Sequence, residues 1–438
     1  MTDGMSEHSV NVGILGCGTV GAGVARVLLE HGQFLQRHLG FPVRLKRIAD
    51  INPAAGRGLG IPRGVMTTRA ADVLNDRQIH IVVELIGGTT IAKDLILAAM
   101  RNGKHVVTAN KALLATSGLM LHAAAQRHHV DLFYEASVAG GIPIIKALRE
   151  GFAANRIDSV CGIVNGTCNY ILSRMSDAGL EFNAALKEAQ DKGYAEANPA
   201  LDIGGIDARH KLGILASLAF GQWVPQEKIH VEGITSVSAF DIQCAAELGY
   251  AVKLLAIAKV HEGAIEARVQ PTLLPKDAML ANVGGAYNGI EVVGYPIGKT
   301  MFYGLGAGRE ATSSAVVADI VDIARNIACH AHKRLPPFTF VTDAIPLRRI
   351  EDICSRYYLR CRVLDRPGVI AQIAQALGRR RISIASVIQH ETAIQRGHAA
   401  VTFMTHLARE RDLQAAVTAI NALAVVKART GILRVEAA

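Results

Sequence analysis

Apolar and polar positions along the chain fall into two kinds of pattern. From Val10 onward, short apolar runs bounded by glycine and polar residues alternate with stretches of helical period. VNVGIL (10–15) predicts a buried strand, and Val20, Val24, Val27 and Leu28 behind it predict a helix. VRLKRIAD (43–50), IHIVVELIGG (79–88), KHVVTAN (104–110) and VDLFYEASV (130–138) predict later strands, with helices at 91–102 and around 118–128 between them. Strands alternating with helices predict a doubly wound, mostly parallel sheet. The tail reads differently. A strand (357–364), a DRPG turn (365–368), a helix (369–378) and a strand (382–388) are followed by the strand AAVTFMTHL, the helix RDLQAAVTAINAL and the strand-like VVKARTGILRV. This is a β-α-β-β-α-β, ferredoxin-like plan. PPFTFVTDAIPL (336–347), with prolines at both ends, reads as the linker into it.

A chain of 438 residues exceeds one ordinary core, which sets an expectation of two or three domains. Apolar residues make up 50% and charged residues 19%, so the chain is globular. The net charge is +9, but the basic residues are scattered and not interleaved with aromatics. That argues for anionic small molecules over nucleic acid. Seven cysteines without a CxxC pair predict reduced thiols, a cytoplasmic location and no structural zinc. The polar start sets an expectation of no signal peptide, and no apolar run is long enough to predict a membrane span.

Two stretches carry candidate chemistry. Gly16, Gly18 and Gly21 stand in G-x-G-x-x-G spacing between a predicted strand and a predicted helix, with Thr19 and Val20 inside the motif. Such glycines allow a tight turn, approach to a pyrophosphate and close helix packing, and the helix N-terminus faces the phosphates. Asp50 ends the second strand, where an acid commonly holds the ribose of NAD, yet Arg47 and Arg57 lie near enough in sequence to suit the phosphate of NADP. Spacing leaves that choice open. Glu84, Gly87, Thr89, Asn110 and Lys111 fall at carboxyl ends of predicted strands, where ligands bind in such sheets. The second stretch is AEANPALDIGGIDARHK (195–211). It gathers Glu196, Asp202 and Asp207 around Pro199, Gly204 and Gly205, and sets Lys211 at the start of the apolar run LGILASLAF. Taken alone, it reads better as a solvated loop followed by an Asp207–Lys211 helix pair.

LGCGTVG (15–21), TANKALLA (108–115), YEASVAGGIPII (134–145), GIVNGTCNYIL (162–172), GYAEANPALDIGGIDARHKLGIL (193–215) and YGLGAGREATSSAVVADI (303–320) together resemble the homoserine dehydrogenases. DRPGV (365–369) and ISIASVIQ (382–389) resemble an ACT domain. The chain looks like the monofunctional form of the enzyme. Asn198 replaces a common Asp, and Leu305 and Ala311 replace common prolines, all peripheral to the chemistry.

The resemblance implies a Rossmann-type domain over 1–140, completed by about 305–335, and an α+β catalytic and dimerisation domain over 141–304. A linker over 336–355 and an ACT domain over 356–438 follow. It implies NAD(P)H-dependent, reversible reduction of L-aspartate 4-semialdehyde to L-homoserine, on the route to threonine, methionine and isoleucine. Lys211 is the candidate proton donor, because a lysine near the reacting oxygen stabilises alkoxide charge. By the family match Glu196 and Asp207 hold the amino acid, and Asp202 has a supporting role. Lys111, Gly193 and Gly308 are assigned to the cofactor, with the arginines favouring NADP and NAD tolerated.

A monovalent cation such as Na⁺ is implied at Glu135 and the backbone of Val138, Gly140 and Ile142, against the alternative of a glycine-rich turn around a buried acid. Cys168 reads as a packing residue and not a nucleophile. A homodimer or homotetramer, with threonine as effector at the ACT domain, completes the expectation. The competing readings are another amino-acid semialdehyde dehydrogenase of the same fold and a non-catalytic sensor of nucleotide and amino acid.

Overall fold

The computed structural model describes residues 9–52, 54–332, 334, 344–389 and 397–436. The chain divides into two compact units. The first comprises residues 1–158, 210–226 and 292–344, and the second residues 159–209, 227–291 and 345–438.

The first unit is built on a parallel sheet of Val10–Leu15 (β1), Val43–Ala49 (β2), Met66–Thr67 (β3), Ile81–Glu84 (β4), His105–Thr108 (β5) and Leu132–Phe133 (β6). Their order is β3-β2-β1-β4-β5-β6, the doubly wound arrangement, with its switch point beside β1. β4 and β5 are buried at every position, as a strand covered on both faces must be. The helix Arg309–Ala328 returns late in the chain to this core and packs on the helix Thr19–Glu30, where a Cβ on Gly23 would lie 2.2 Å from Ser313 Oγ. Val316, Ile320 and Ile323 join Val12, Ile14 and Val24 in one apolar cluster.

Two sequence expectations shift here. The helix expected around 118–128 begins at Lys111, because Asn110 caps it by accepting from the Leu113 amide at 3.1 Å. The strand expected over 130–138 stops at Phe133 and passes into a 3₁₀ turn, Glu135–Ser137.

The second unit carries a sheet path through Arg156–Ile163 (β7), Tyr250–His261 (β9), Ala264–Pro275 (β10), Gly431–Val435 (β17), Cys354–Leu364 (β13), His398–Thr405 (β15) and Ile384–Gln389 (β14). His230–Val231 (β8) pairs with β10, and Ala408–Arg409 (β16) with β13. Tyr287–Tyr295 (β11) begins in this unit and ends in the first, which also holds Gly298–Leu305 (β12). The tail's four strands lie in the order β17-β13-β15-β14, the ferredoxin-like order expected of the β-α-β-β-α-β plan. Its helices, Val369–Gly378 and Glu410–Asn421, bury Ile373, Leu377, Leu413 and Ile420 against Tyr357, Leu359 and Phe403.

The tail is not hung on a free linker. β17 pairs in parallel with β10, Thr272 beside Arg434 and Leu273 beside Val435. Ile265 donates to the Pro346 carbonyl and accepts from the Arg348 amide, both at 2.8 Å, so the later part of the expected linker is strand-paired. Residues 336–343 of it lie outside the described residues.

Candidate active site

The turn after β1 explains its glycines. Gly16 has φ +95°, and a Cβ on it would sit 2.7 Å from the Leu85 carbonyl oxygen. A Cβ on Gly21 would fall 2.0 Å from the Gly16 oxygen. A Cβ on Gly18 would meet nothing within 4 Å. Two of the glycines are thus demanded by packing, and the third leaves open space in front of the helix N-terminus.

Gly18 starts the helix Thr19–Glu30 with no side-chain cap, and Gly308, at φ +120°, starts Arg309–Ala328 in the same way. Thr19, Val20, Gly308 and Arg309 line a single cavity of about 340 Å³, together with Lys111 and Lys211. Two uncapped helix N-termini and two lysines around one cavity fit a diphosphate. Ala139 and Gly140 line it too, both in the left-handed region at φ 56° and 54°. For alanine this conformation is strained, and such strain collects at functional loops. Sequence reading had no signal for Ala139 or Arg309.

The ends of the neighbouring strands are pinned by acids. Glu84 is fully buried, and its carboxylate accepts from the amides of Ile86 and Gly87 and from the Thr108 hydroxyl at 2.7 Å. Asn110 donates to the Gly88 carbonyl at 2.7 Å, so the exposed loop that carries Thr89 is held from both sides. Asp50 accepts from the Cys17 amide at 2.6 Å and the Asn52 amide at 2.8 Å, which ties the end of β2 to the glycine turn. Arg47 lies within β2. Arg57 lies in the turn-rich segment that follows β2.

The Pro/Gly-broken stretch becomes a short helix, Ala200–Ile203, and a turn in the second unit, then the helix Ile206–Phe220, whose residues from 210 onward belong to the first unit. Gly205 makes the turn at φ +79°, where a Cβ would crowd Val231 and the Glu232 carbonyl. Asp202 and Asp207 meet at one side chain that sequence reading did not single out. Asn165 Nδ2 donates to Asp202 Oδ1 at 2.7 Å and to Asp207 Oδ2 at 2.8 Å. Its Oδ1 caps the helix Gly166–Ala178 by accepting from the Cys168 amide. Asp207 and Lys211, 6% and 8% exposed, stand one turn apart on one helix, so the solvated-loop reading fails for both.

Glu196 is exposed, on a loop where Gln190 donates to its backbone carbonyl at 3.2 Å. Gly193, at φ +74°, opens that loop. Cys168 is fully buried and donates through Sγ to the Asp202 carbonyl, a packing role. All seven cysteines are free thiols.

At the implied cation loop, the buried Glu135 carboxylate accepts from the amides of Ile145 and Lys146 at 2.8 and 2.7 Å. Burial pushes this carboxyl up to about 7, against the pull of those hydrogen bonds and of Arg149 and Lys146. The Ile142 carbonyl accepts from the Ile144 amide, and the Glu135 carbonyl from Val138 at a long 3.4 Å.

In the tail, a cavity of about 230 Å³ opens at the DRPG turn between Asp365, Gly368, Ile370 and Gln389. Gly368, at φ +83°, begins the helix Val369–Gly378 without a side-chain cap.

Comparison with known proteins agrees with this layout. Residues 16–135 match the homoserine dehydrogenase NAD-binding domain, 143–321 the homoserine dehydrogenase domain and 357–425 the ACT domain. A homoserine dehydrogenase of Pseudomonas aeruginosa is 44% identical, over 98% of this chain and 99% of its own. The chain belongs to the homoserine dehydrogenase family. It is accordingly an oxidoreductase with a nucleotide-binding domain and a C-terminal ACT domain. The crystal structure of a homoserine dehydrogenase from Thiobacillus denitrificans superposes with a TM-score of 0.92, at 45% identity, over 98% of this chain and 99% of that one. A hyperthermophilic archaeal homoserine dehydrogenase in complex with NADPH matches 72% of this chain and 98% of its own, at 28% identity and a TM-score of 0.61. No helix among the described residues is long and apolar enough to cross a membrane.

Proposed function

We propose that this chain interconverts L-aspartate 4-semialdehyde and L-homoserine with NADP(H), and that Lys211 supplies the proton. The observation that carries the reading is the cavity in which Lys211, itself buried, lies with Lys111 and the two uncapped helix N-termini. The bound nicotinamide supplies the hydride. The Thr19 and Arg309 helix ends hold the diphosphate, and the open face of Gly18 lets the backbone come close to it. Lys111 adds charge on the same side. Lys211 donates to the aldehyde oxygen as it becomes a hydroxyl, and a cation there stabilises the developing alkoxide.

Asp207, one turn before Lys211, and Glu196 bind the amino-acid end, with carboxylates suited to an ammonium. Asp202 acts with Asp207 through their shared Asn165. NADP is the preferred nucleotide, with Arg57 and Arg47 as the phosphate's partners, and NAD is tolerated. The NADPH complex of the archaeal relative supports that choice. A monovalent cation, if held at the 135–142 loop, is held by backbone carbonyls, since both carboxylate oxygens of Glu135 already receive amides. The enzyme works in the cytoplasm as a homo-oligomer. Threonine is the effector expected at the DRPG cavity.

Lys211→Ala tests the proton-donor assignment. Turnover is expected to fall by ~10²–10⁴ while NADPH still binds. Turnover within about tenfold of wild type, below the ~10²–10⁴ that a proton-transfer group contributes, contradicts it.

A further inference from the structure

The first unit has a second cavity, of about 510 Å³, whose chemistry the dehydrogenase reaction does not use. His80 directly precedes β4 and His105 begins β5, so the cavity lies by the amino ends of these strands, where cofactors of such folds do not bind. Arg77, His80, Asn102, Lys104, His105 and His332 line it, and no Asp or Glu is among the described lining residues.

Two rings are fixed as donors. His80 Nδ1 accepts the Asn11 backbone N–H at 3.0 Å, and His105 Nδ1 accepts the Asp131 backbone N–H at 3.0 Å. A neutral imidazole whose Nδ1 accepts carries its proton on Nε2. Each ring therefore offers an Nε2–H. Lys104, 3% exposed, is anchored at the wall by donating to the carbonyls of Asp76 and Ile79 at 2.6 and 2.9 Å.

The charges of this wall oppose one another. Burial, then Lys104 and Lys46, hold His80 below its ordinary range. Burial brings His105 down to about 4; Asp131 pulls it up, and His332 and His80 push it further down. The nearby acids are already engaged: Asp76 takes Lys46, and Asp131 takes Asn326 Nδ2 at 3.0 Å.

His105, Asp131 and His332 also cluster in a way that invites a metal, their ligand atoms lying within 4.8 Å of one another. The hydrogen bond to His105 argues against it. Its Nδ1 lone pair is occupied by an amide proton, and its Nε2 is protonated, so neither nitrogen presents a lone pair. The Asp131 carboxylate lies 3.6 Å from His105 Nδ1, beside that ring's accepting nitrogen, and is already held by Asn326, so the donors that line the cavity suit the opposite ligand.

We propose that this cavity binds a small phosphate, inorganic or as a monoester, through Arg77, His332, Lys104 and the Nε2–H groups of His80 and His105. Arginine, ammonium and imidazole N–H are the donors that phosphate oxygens accept most strongly.

The test uses the full chain saturated with NADP, so that the nucleotide cavity is occupied. Inorganic phosphate is titrated calorimetrically in one arm and glycerol 3-phosphate in the other. Arg77→Glu and His332→Gln are compared with wild type; both positions are exposed and carry no part of the core. Saturable binding of either phosphate, weakened at least tenfold by Arg77→Glu and several-fold by His332→Gln, is expected. The arm that binds more tightly names the source. Tungstate soaked into crystals is expected to appear beside His80 and His105. No saturable heat in either arm, equal affinity in both variants, or tungstate confined to the nucleotide cavity would overturn the proposal.

Discussion

The two sheets of this molecule treat charge in opposite ways. In the parallel sheet of the first unit, β4 and β5 are apolar through their middles, with His105 buried at the amino end of β5 and Glu84 and Thr108 buried at the carboxyl ends. There they shape the loops around a ligand. In the second unit, charge is buried within the strands. Arg434 on β17 forms a two-pronged pair with Glu410 at 2.6 and 2.7 Å and reaches Glu232 at 2.9 Å. Tyr357 donates to the same Glu410. Arg268 on β10 pairs with Glu266 and with Glu436, and Lys259 meets Glu436 at 2.9 Å. Asp241 receives Arg360 at 2.7 Å and the Tyr358 hydroxyl. Four of these contacts, Arg434–Glu232, Arg268–Glu436, Lys259–Glu436 and Arg360–Asp241, join the ACT module to the catalytic segments of the second unit. They stand where β10 and β17 share only a short parallel register, and a misaligned strand would leave charges unpaired. Polar groups at strand ends serve a ligand, and polar groups between strands serve the assembly of two modules.

Arg434→Leu is the strongest way to break that contrast. It leaves Glu410 and Glu232 without their cation, and removing one partner of a buried pair costs about 3–5 kcal/mol. Urea unfolding is expected to show that loss. An Ile14→Val change in β1 costs only about 0.5–1.5 kcal/mol. Similar losses at both positions would mean that the charges do not pin the tail.

Asn165→Ala comes next. Two carboxylates lose a shared donor, and hydrogen bonds to charged groups contribute about 1.5–3 kcal/mol. The expected result is a roughly ten- to hundredfold fall in kcat/KM, since 1.4 kcal/mol is tenfold. Asn165→Asp is expected to be no better, because it places a third acid against the two. Wild-type kinetics in both variants would remove Asn165 from the site.

Glu196→Gln keeps the shape and removes the charge, so KM for homoserine is expected to rise with kcat less affected. An unchanged KM would exclude Glu196 from the ammonium. A smaller effect is expected from replacing Arg47 and Arg57 together, read as a several-fold fall in the NADP/NAD ratio of kcat/KM. Of the two single variants, Arg57 is expected to matter more, because Arg47 lies within β2 whereas Arg57 lies in the turn-rich segment beyond its end. An unchanged ratio places the phosphate elsewhere.

The mildest probe is pH. Burial opposes the charge on Glu232, but hydrogen bonds from His230 and Arg434 win and bring its carboxyl to about 2, from an ordinary value of 4.5. A depressed carboxyl stabilises the folded state above its unfolded value, and that contribution fades as pH falls toward the folded one. Stability is therefore expected to decline between about pH 4.5 and 2, less steeply in Glu232→Gln. Parallel declines in both proteins would assign the acid sensitivity to other carboxylates.

Much of this was readable in the sequence where one local rule acts alone. Val10–Leu15 and Val369–Gly378 appear where the apolar pattern put them, and the glycine turn has the packing its spacing implies. The misses have a common cause, a partner distant in sequence. Glu135 turns its carboxylate to the amides of Ile145 and Lys146, in a segment that reads as strand. Asn165 looks like a helix cap, and nothing local reveals the acids it holds 37 and 42 residues on. Arg434 stands in GILRV, where strand alternation says nothing of Glu232, 202 residues earlier.

The same pairs change how regulation has to be tested. Deleting the tail would strip Arg268 and Lys259 of Glu436, so a truncated enzyme would fail for reasons unrelated to an effector. Point changes at the DRPG turn, titrated with threonine, avoid that damage.

The most direct measurement follows nicotinamide absorbance on mixing the wild-type chain with NADPH and L-aspartate 4-semialdehyde, with product identified by mass. The account predicts NADPH consumption matched one-for-one by homoserine, with other amino-acid semialdehydes turned over far more slowly. Binding of NADPH without its oxidation, or faster oxidation with a different semialdehyde, would contradict it.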